Sequence, residues 1–123
     1  MSTDCELIMN HIQSLKDNDV KIDIRMIKKA KKHLFMTKHK LFGSDEPVYF
    51  YPDYDIAQSW QRLTDKNRKL EAHDLLLIPH EALESDYMAK GYSQREAHNL
   101  ANEKYDYQTA LKTYNKEGRK RIK

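Results

Sequence analysis

The chain is poor in cysteine, glycine, proline and long apolar runs, and each scarcity excludes something. Its single cysteine, Cys5, has no partner for an internal disulfide and cannot build a cysteine-based zinc site, which fits a reducing compartment. Three glycines and three prolines in 123 residues are too few turn residues for a many-stranded β protein. No segment approaches the roughly 20 consecutive apolar residues that span a bilayer. The beginning, STDCE, lacks the basic-then-apolar order of a signal peptide. No glycine-rich phosphate loop, GxSxG elbow or dinucleotide fingerprint occurs, so nucleotide-dependent chemistry has no support. The expectation is a soluble protein of the cytoplasm, free of the membrane and built mostly from helices.

What is present agrees with that class. With 39% hydrophobic and 33% charged residues, the chain holds one modest core and one domain. Thr3 with Glu6 forms a capping-box pattern, and Cys5, Ile8, Met9, Ile12 and Leu15 follow at helical spacing, predicting a helix over 3–16. After a polar break at 16–19, Asp23 is placed to cap a second helix with Ile24, Ile27, Ala30 and Leu34 on its apolar side. The stretch 42–47 is turn-like, and Val48 to Tyr51 alone has strand propensity, without a clear pairing partner. Pro52-Asp53 opens a third helix anchored by Trp60. From Leu70 a helical pattern runs to Ala89 through Pro79, where a kink is expected. Gly91 then stops it, and Ser93 with Glu96 caps a last helix reaching Tyr114. The fold class predicted is all-α, a compact bundle of about five helices with a C-terminal hairpin and at most one short extended segment. It occupies 1–117, and the basic tail 118–123 has no fold of its own.

Charge is unevenly spread. Arg25, Lys28, Lys29, Lys31, Lys32, Lys38 and Lys40 follow one another with no acid between them, and Lys112, Lys116, Arg119, Lys120, Arg121 and Lys123 crowd the end. Arg25, Lys28, Lys29, Lys31 and Lys32 are candidates for holding a nucleic-acid backbone, or form a solvated helix face. His33 and His39 lie within this run and are candidates for contacting a phosphodiester. Tyr49, Tyr51 and Tyr54 can stack bases, but the acidic Asp53 and Asp55 beside them favour packing.

The candidate chemistry lies between His73 and Tyr107. Residues four apart share a helix face, so His80 and Glu84 point the same way, with His73 two turns earlier. Folding the hairpin about Gly91 sets His98 opposite Glu84 and Asn102 opposite His80. His80, Glu84 and His98 therefore converge, with His73 a further candidate. Two imidazoles and a carboxylate suit a divalent ion such as Zn²⁺, or acid and base catalysis on an RNA 2′-hydroxyl, and the residues name neither metal nor cofactor. The same residues suit a buried, hydrogen-bonded core, since His80 shares its stripe with Leu76, Leu83 and Tyr87. The zincin pattern HExxH is absent: Glu84 stands where its second histidine belongs, and Glu81 is expected to point away from His80.

The segments AKKHLF (30–35), DYDIAQSWQRL (53–63), HDLLLIPHEALE (73–84) and EAHNLANEKYDY (96–107) resemble a module of phage head-morphogenesis proteins and bacterial polymorphic toxins. The resemblance covers 27–107. In the toxin setting it implies a terminal effector domain acting as a nuclease, with work for His73, His80, Glu81, Glu84 and His98. Two departures stand out: Pro79 precedes His80, and no delivery region is evident. The expectation is a phage or mobile-element protein in the host cytoplasm, a toxin-like nuclease acting on RNA or DNA. The alternatives are an accessory protein that binds and inhibits a host complex such as a defence nuclease, and a virion assembly protein.

Overall fold

One long helix organises the fold, and most of the others pack along it. A computed structural model describes residues 4–15, 20–36, 38–39, 48–49 and 54–122. In chain order the helices are α1 (Asp4–Gln13), α2 (Ile24–Lys31), α3 (Tyr54–Thr64), α4 (Ala72–Ala89), α5 (Gln94–Lys104) and α6 (Tyr107–Ile122). The protein is all-α. A single π-helical turn, Lys32–Met36, follows α2, and the strands β1 (Lys38–His39) and β2 (Val48–Tyr49) pair antiparallel. Val48 and Tyr49 thus find a partner that the sequence did not suggest. Among the described residues no helix is long and apolar enough to cross a membrane. The expected cap at Thr3, break at 16–19, turn at 42–47 and helix start at Pro52-Asp53 lie outside the described residues.

The apolar stripes read from the sequence meet in one core. Cys5, Ile8 and Ile12 of α1, Ile27 and Ala30 of α2, Leu34 of the π-helical turn, Trp60 and Leu63 of α3, Leu77 and Ile78 of α4 and Tyr107 of α6 are buried together. Trp60 meets Phe35 edge to face, with centroids 5.1 Å apart. Asp23 caps α2 as expected, accepting from the Met26 N–H at 2.9 Å. Burial pushes the Cys5 thiol pKa up, so it behaves as a small apolar side chain.

Helix α4 passes through Pro79 as one element. Its end is a left-handed cap: Gly91 has φ 105°, the Tyr92 N–H donates to the Tyr87 carbonyl at 3.2 Å, and their rings meet edge to face at 5.5 Å. Ser93 and Glu96 then exchange hydrogen bonds, with the Glu96 N–H donating to Ser93 Oγ at 3.1 Å and the Ser93 N–H to Glu96 Oε1 at 3.2 Å. Both signals stand in the sequence as GYSQRE, which is why the α4–α5 hairpin was legible.

The last helix was expected to run unbroken to Tyr114, and it does not. Tyr105 leaves helical geometry at φ −132° and ψ 86°, and Asp106 restarts the chain as a cap, accepting from the Thr109 N–H at 3.0 Å. This aspartate, whose carboxyl is held below the usual range by that backbone bond, was the overlooked cue. Helix α6 then continues through 118–122, where the sequence suggested a tail with no fold of its own.

Candidate functional site

Glu84 is the hub of a buried polar cluster. Its Oε2 lies 3.2 Å from His98 Nδ1 and 3.3 Å from His80 Nε2. Its Oε1 lies 3.2 Å from His33 Nε2 and accepts from Gln94 Nε2 at 3.2 Å. The predicted convergence of His80, Glu84 and His98 is present, with the two imidazole rings edge to face at 5.0 Å. Their donor atoms all lie within 4.8 Å of one another, close enough to surround one ion.

Two further groups join them. His33 arrives from the π-helical turn, a local widening that often marks functional sites. Glu81, expected to point away from His80, is buried rather than exposed, with Oε2 3.7 Å from His33 Nε2 of the π-helical turn. His33, Glu81 and Glu84 form a second set with donor atoms within 4.8 Å, sharing Glu84 with the first. The available signal was spacing, since His33 continues the Ile27 and Ala30 stripe at steps of three.

Exposure separates the members. His98 keeps 38% of its side chain open, against 1% for His80 and His33 and 3% for Glu84. His98 is therefore where solvent or a substrate reaches the cluster. Burial opposes the Glu84 charge, but hydrogen bonds from His33, His80 and His98 outweigh it and hold the carboxyl far below the usual carboxylate range. The bond to Glu84 in turn raises the His98 pKa against its own partial burial. His80 is oriented from behind by the Tyr105 carbonyl, 3.0 Å from its Nδ1, which the α5–α6 break turns out of the helix. His98 Nε2 faces the Asn102 side-chain amide at 3.3 Å.

His73 does not join this cluster. It lies on the order of 16 Å from Glu84 along the helix axis. There Arg62 Nη2 donates to its Nε2 at 3.0 Å, and Tyr107 and Tyr114 flank the ring at 5.6 and 4.8 Å. Arg62 also grips Asp74, Nε to Oδ2 at 2.6 Å and Nη2 to Oδ1 at 2.8 Å, and the Glu71 N–H adds a bond to Oδ2 at 2.8 Å. The sequence placed His73 on the right helix, but about three turns of rise separate it from Glu84 and put it in a structural clamp between α3 and α4.

Burial lowers the His73 pKa from about 6.5, with Arg62 acting in the same sense and Asp74 against it. The imidazole is neutral when folded and takes up a proton when unfolded. The unfolded chain therefore binds more protons below about pH 6.5, and stability falls on acidification from there toward the folded value. A slope of up to about 1.4 kcal/mol per pH unit is expected, and His73→Gln should flatten it. Denaturant unfolding of both proteins between pH 5 and 8 reads the difference, and parallel curves would exclude the effect.

The basic residues sit as a helix face should. Arg25, Lys28, Lys29 and Lys32 are exposed and Lys31 is partly so. Lys29 Nζ bonds Asp86 Oδ1 at 2.7 Å and Lys31 Nζ lies 3.7 Å from Asp4 Oδ2. Such surface pairs contribute about 0–1 kcal/mol each. Tyr54 is exposed, and Tyr51 and Asp53 lie outside the described residues. No protein-family model matches this chain, and no curated protein or solved structure matches it either.

Proposed function

We propose that this domain is a small toxin-like nuclease of phage or mobile-element type, cleaving RNA or DNA at the Glu84 cluster. The observation that carries the reading is a carboxylate and two imidazoles drawn together with a single member, His98, open to solvent. A purely structural core has no need of that opening. His98, oriented by Glu84, marks the open edge at which the scissile phosphodiester arrives, and His98, His80 and Glu84 supply acid, base or ligand functions. The exposed cations of α2 hold the phosphate backbone, and Lys29 pairs with Asp86, two residues beyond Glu84 on α4.

Cleavage of labelled RNA and DNA, with and without divalent metals, tests this. His98→Ala is expected to lower the rate by about 100-fold or more while leaving the helical spectrum intact, because the side chain is partly exposed. Unchanged cleavage in His98→Ala and His80→Ala, or no cleavage under any condition, would sink the idea. The exposed α2 face also supports a second reading, a non-enzymatic protein that occupies a nucleic acid or a host complex. Under it, reversing charge at Lys28, Lys29, Lys31 and Lys32 abolishes binding while the histidine variants bind normally.

A further inference from the structure

We propose that His33, His80, His98, Glu81 and Glu84 form a binuclear centre for divalent transition-metal ions, with Glu84 as the bridge. One ion takes His80 Nε2, His98 Nδ1 and Glu84 Oε2; the other takes His33 Nε2, Glu81 Oε2 and Glu84 Oε1. Three observations point there.

The first is distance. Contacts within the cluster measure 3.2, 3.2, 3.3 and 3.7 Å. The bonds of Arg62 with Asp74, 2.6 and 2.8 Å, and of Lys29 with Asp86, 2.7 Å, are shorter, and contacts as long as those of the cluster otherwise occur at weak surface pairs such as Lys31 with Asp4 at 3.7 Å. Donor atoms about 3.4 Å apart are what a tetrahedral ion with bonds of about 2.1 Å requires.

The second is the placing of protons. The Tyr105 carbonyl only accepts, so His80 Nδ1 carries a hydrogen, and when the ring is neutral Nε2 presents a lone pair to Glu84 Oε2. Two acceptors facing each other need a proton or a cation between them. An imidazole pinned through its other nitrogen by a backbone carbonyl is the usual setting of a metal-ligating histidine. His98 can match it: turning the Asn102 amide end for end lets Oδ1 accept from Nε2–H and leaves Nδ1 for the ion.

The third is how the groups divide. The two oxygens of one carboxylate face different histidine sets, and each set has its donors within 4.8 Å. Imidazole with carboxylate suits ions such as Zn²⁺, Fe²⁺ or Mn²⁺, whereas Ca²⁺ and Mg²⁺ favour all-oxygen surroundings. Two such ions carry more positive charge than two carboxylates cancel, which leaves them able to take a hydroxide or a phosphate oxygen. Bridged ions about 3.5–4 Å apart stabilise both the attacking and the leaving oxygen of a phosphodiester displacement.

The centre shares residues with the nuclease reading but is measured by metal content alone. The full chain, stripped with a chelator, loaded with Zn²⁺ and dialysed, is expected to retain two ions by elemental analysis and to bind Co²⁺ in two spectral phases. Glu81→Gln and His98→Ala, each checked for helical content, should retain one. One ion per wild-type chain, or none, would overturn the binuclear centre. If such a chain still cleaves, the nuclease reading survives; two ions without cleavage would overturn the nuclease reading instead.

Discussion

Replacing Glu84 with alanine should destabilise the fold by about 3–5 kcal/mol, lowering the melting temperature by roughly 10–20 °C. Glu84 accepts from groups on the π-helical turn, α4 and α5, so its removal leaves several buried polar atoms facing a void. Glu84→Gln should behave differently. Its amide keeps the volume, its oxygen can still accept from His33 and Gln94, and its nitrogen can donate to Nε2 of a neutral His80 ring. That variant is expected to keep most of the stability and to lose cleavage by about 100-fold or more. Thermal unfolding paired with a cleavage assay separates the two. An alanine variant within about 1 kcal/mol of wild type would show that the cluster does not hold the fold together.

The second large effect is expected at the Arg62–Asp74 clamp. Asp74 is fully buried and meets the guanidinium through two bonds. Either Arg62→Ala or Asp74→Ala strands a buried charge, at a cost of about 3–5 kcal/mol. The double variant Arg62→Met/Asp74→Leu removes both charges and fills the space. It should recover most of the loss, short of about 2 kcal/mol for the Glu71 N–H and the His73 Nε2 that lose their partners. A double-mutant cycle in denaturant measures the coupling, and strictly additive effects would refute a shared network. Cleavage by the refolded double variant should match wild type, because the clamp lies well away from Glu84.

Much of the fold was legible because its signals are local. Ile27, Ala30 and Leu34 mark one side of a helix, Gly91 ends another in a backbone region that side chains disfavour, and Ser93 with Glu96 starts the next. From those signals alone the hairpin register follows, and with it the meeting of Glu84 and His98. The break at Asp106 was also written locally, as an aspartate three residues before Thr109, but the helical pattern on either side hid it.

The composition of the site was legible only in part. His33 stands 51 residues from Glu84 and looked like one more member of a basic run. Only the packing of α2 on α4 turns it inward, and the same packing buries Glu81, a residue whose helical position pointed away from His80. His73 shows the converse: periodicity set it on the face of His80, but α3 supplied Arg62 to claim it.

By itself, then, the sequence determined the class of fold, the helix caps at Asp23, Gly91 and Ser93 and the hairpin that joins His80, Glu84 and His98. Those features depend on residues within a few positions of one another. Only the tertiary structure decided that Glu84 has two faces, that His33 and Glu81 share it, and that His98 alone opens to solvent. A buried charge must find its partners wherever the chain brings them, and that choice is made between helices rather than along them.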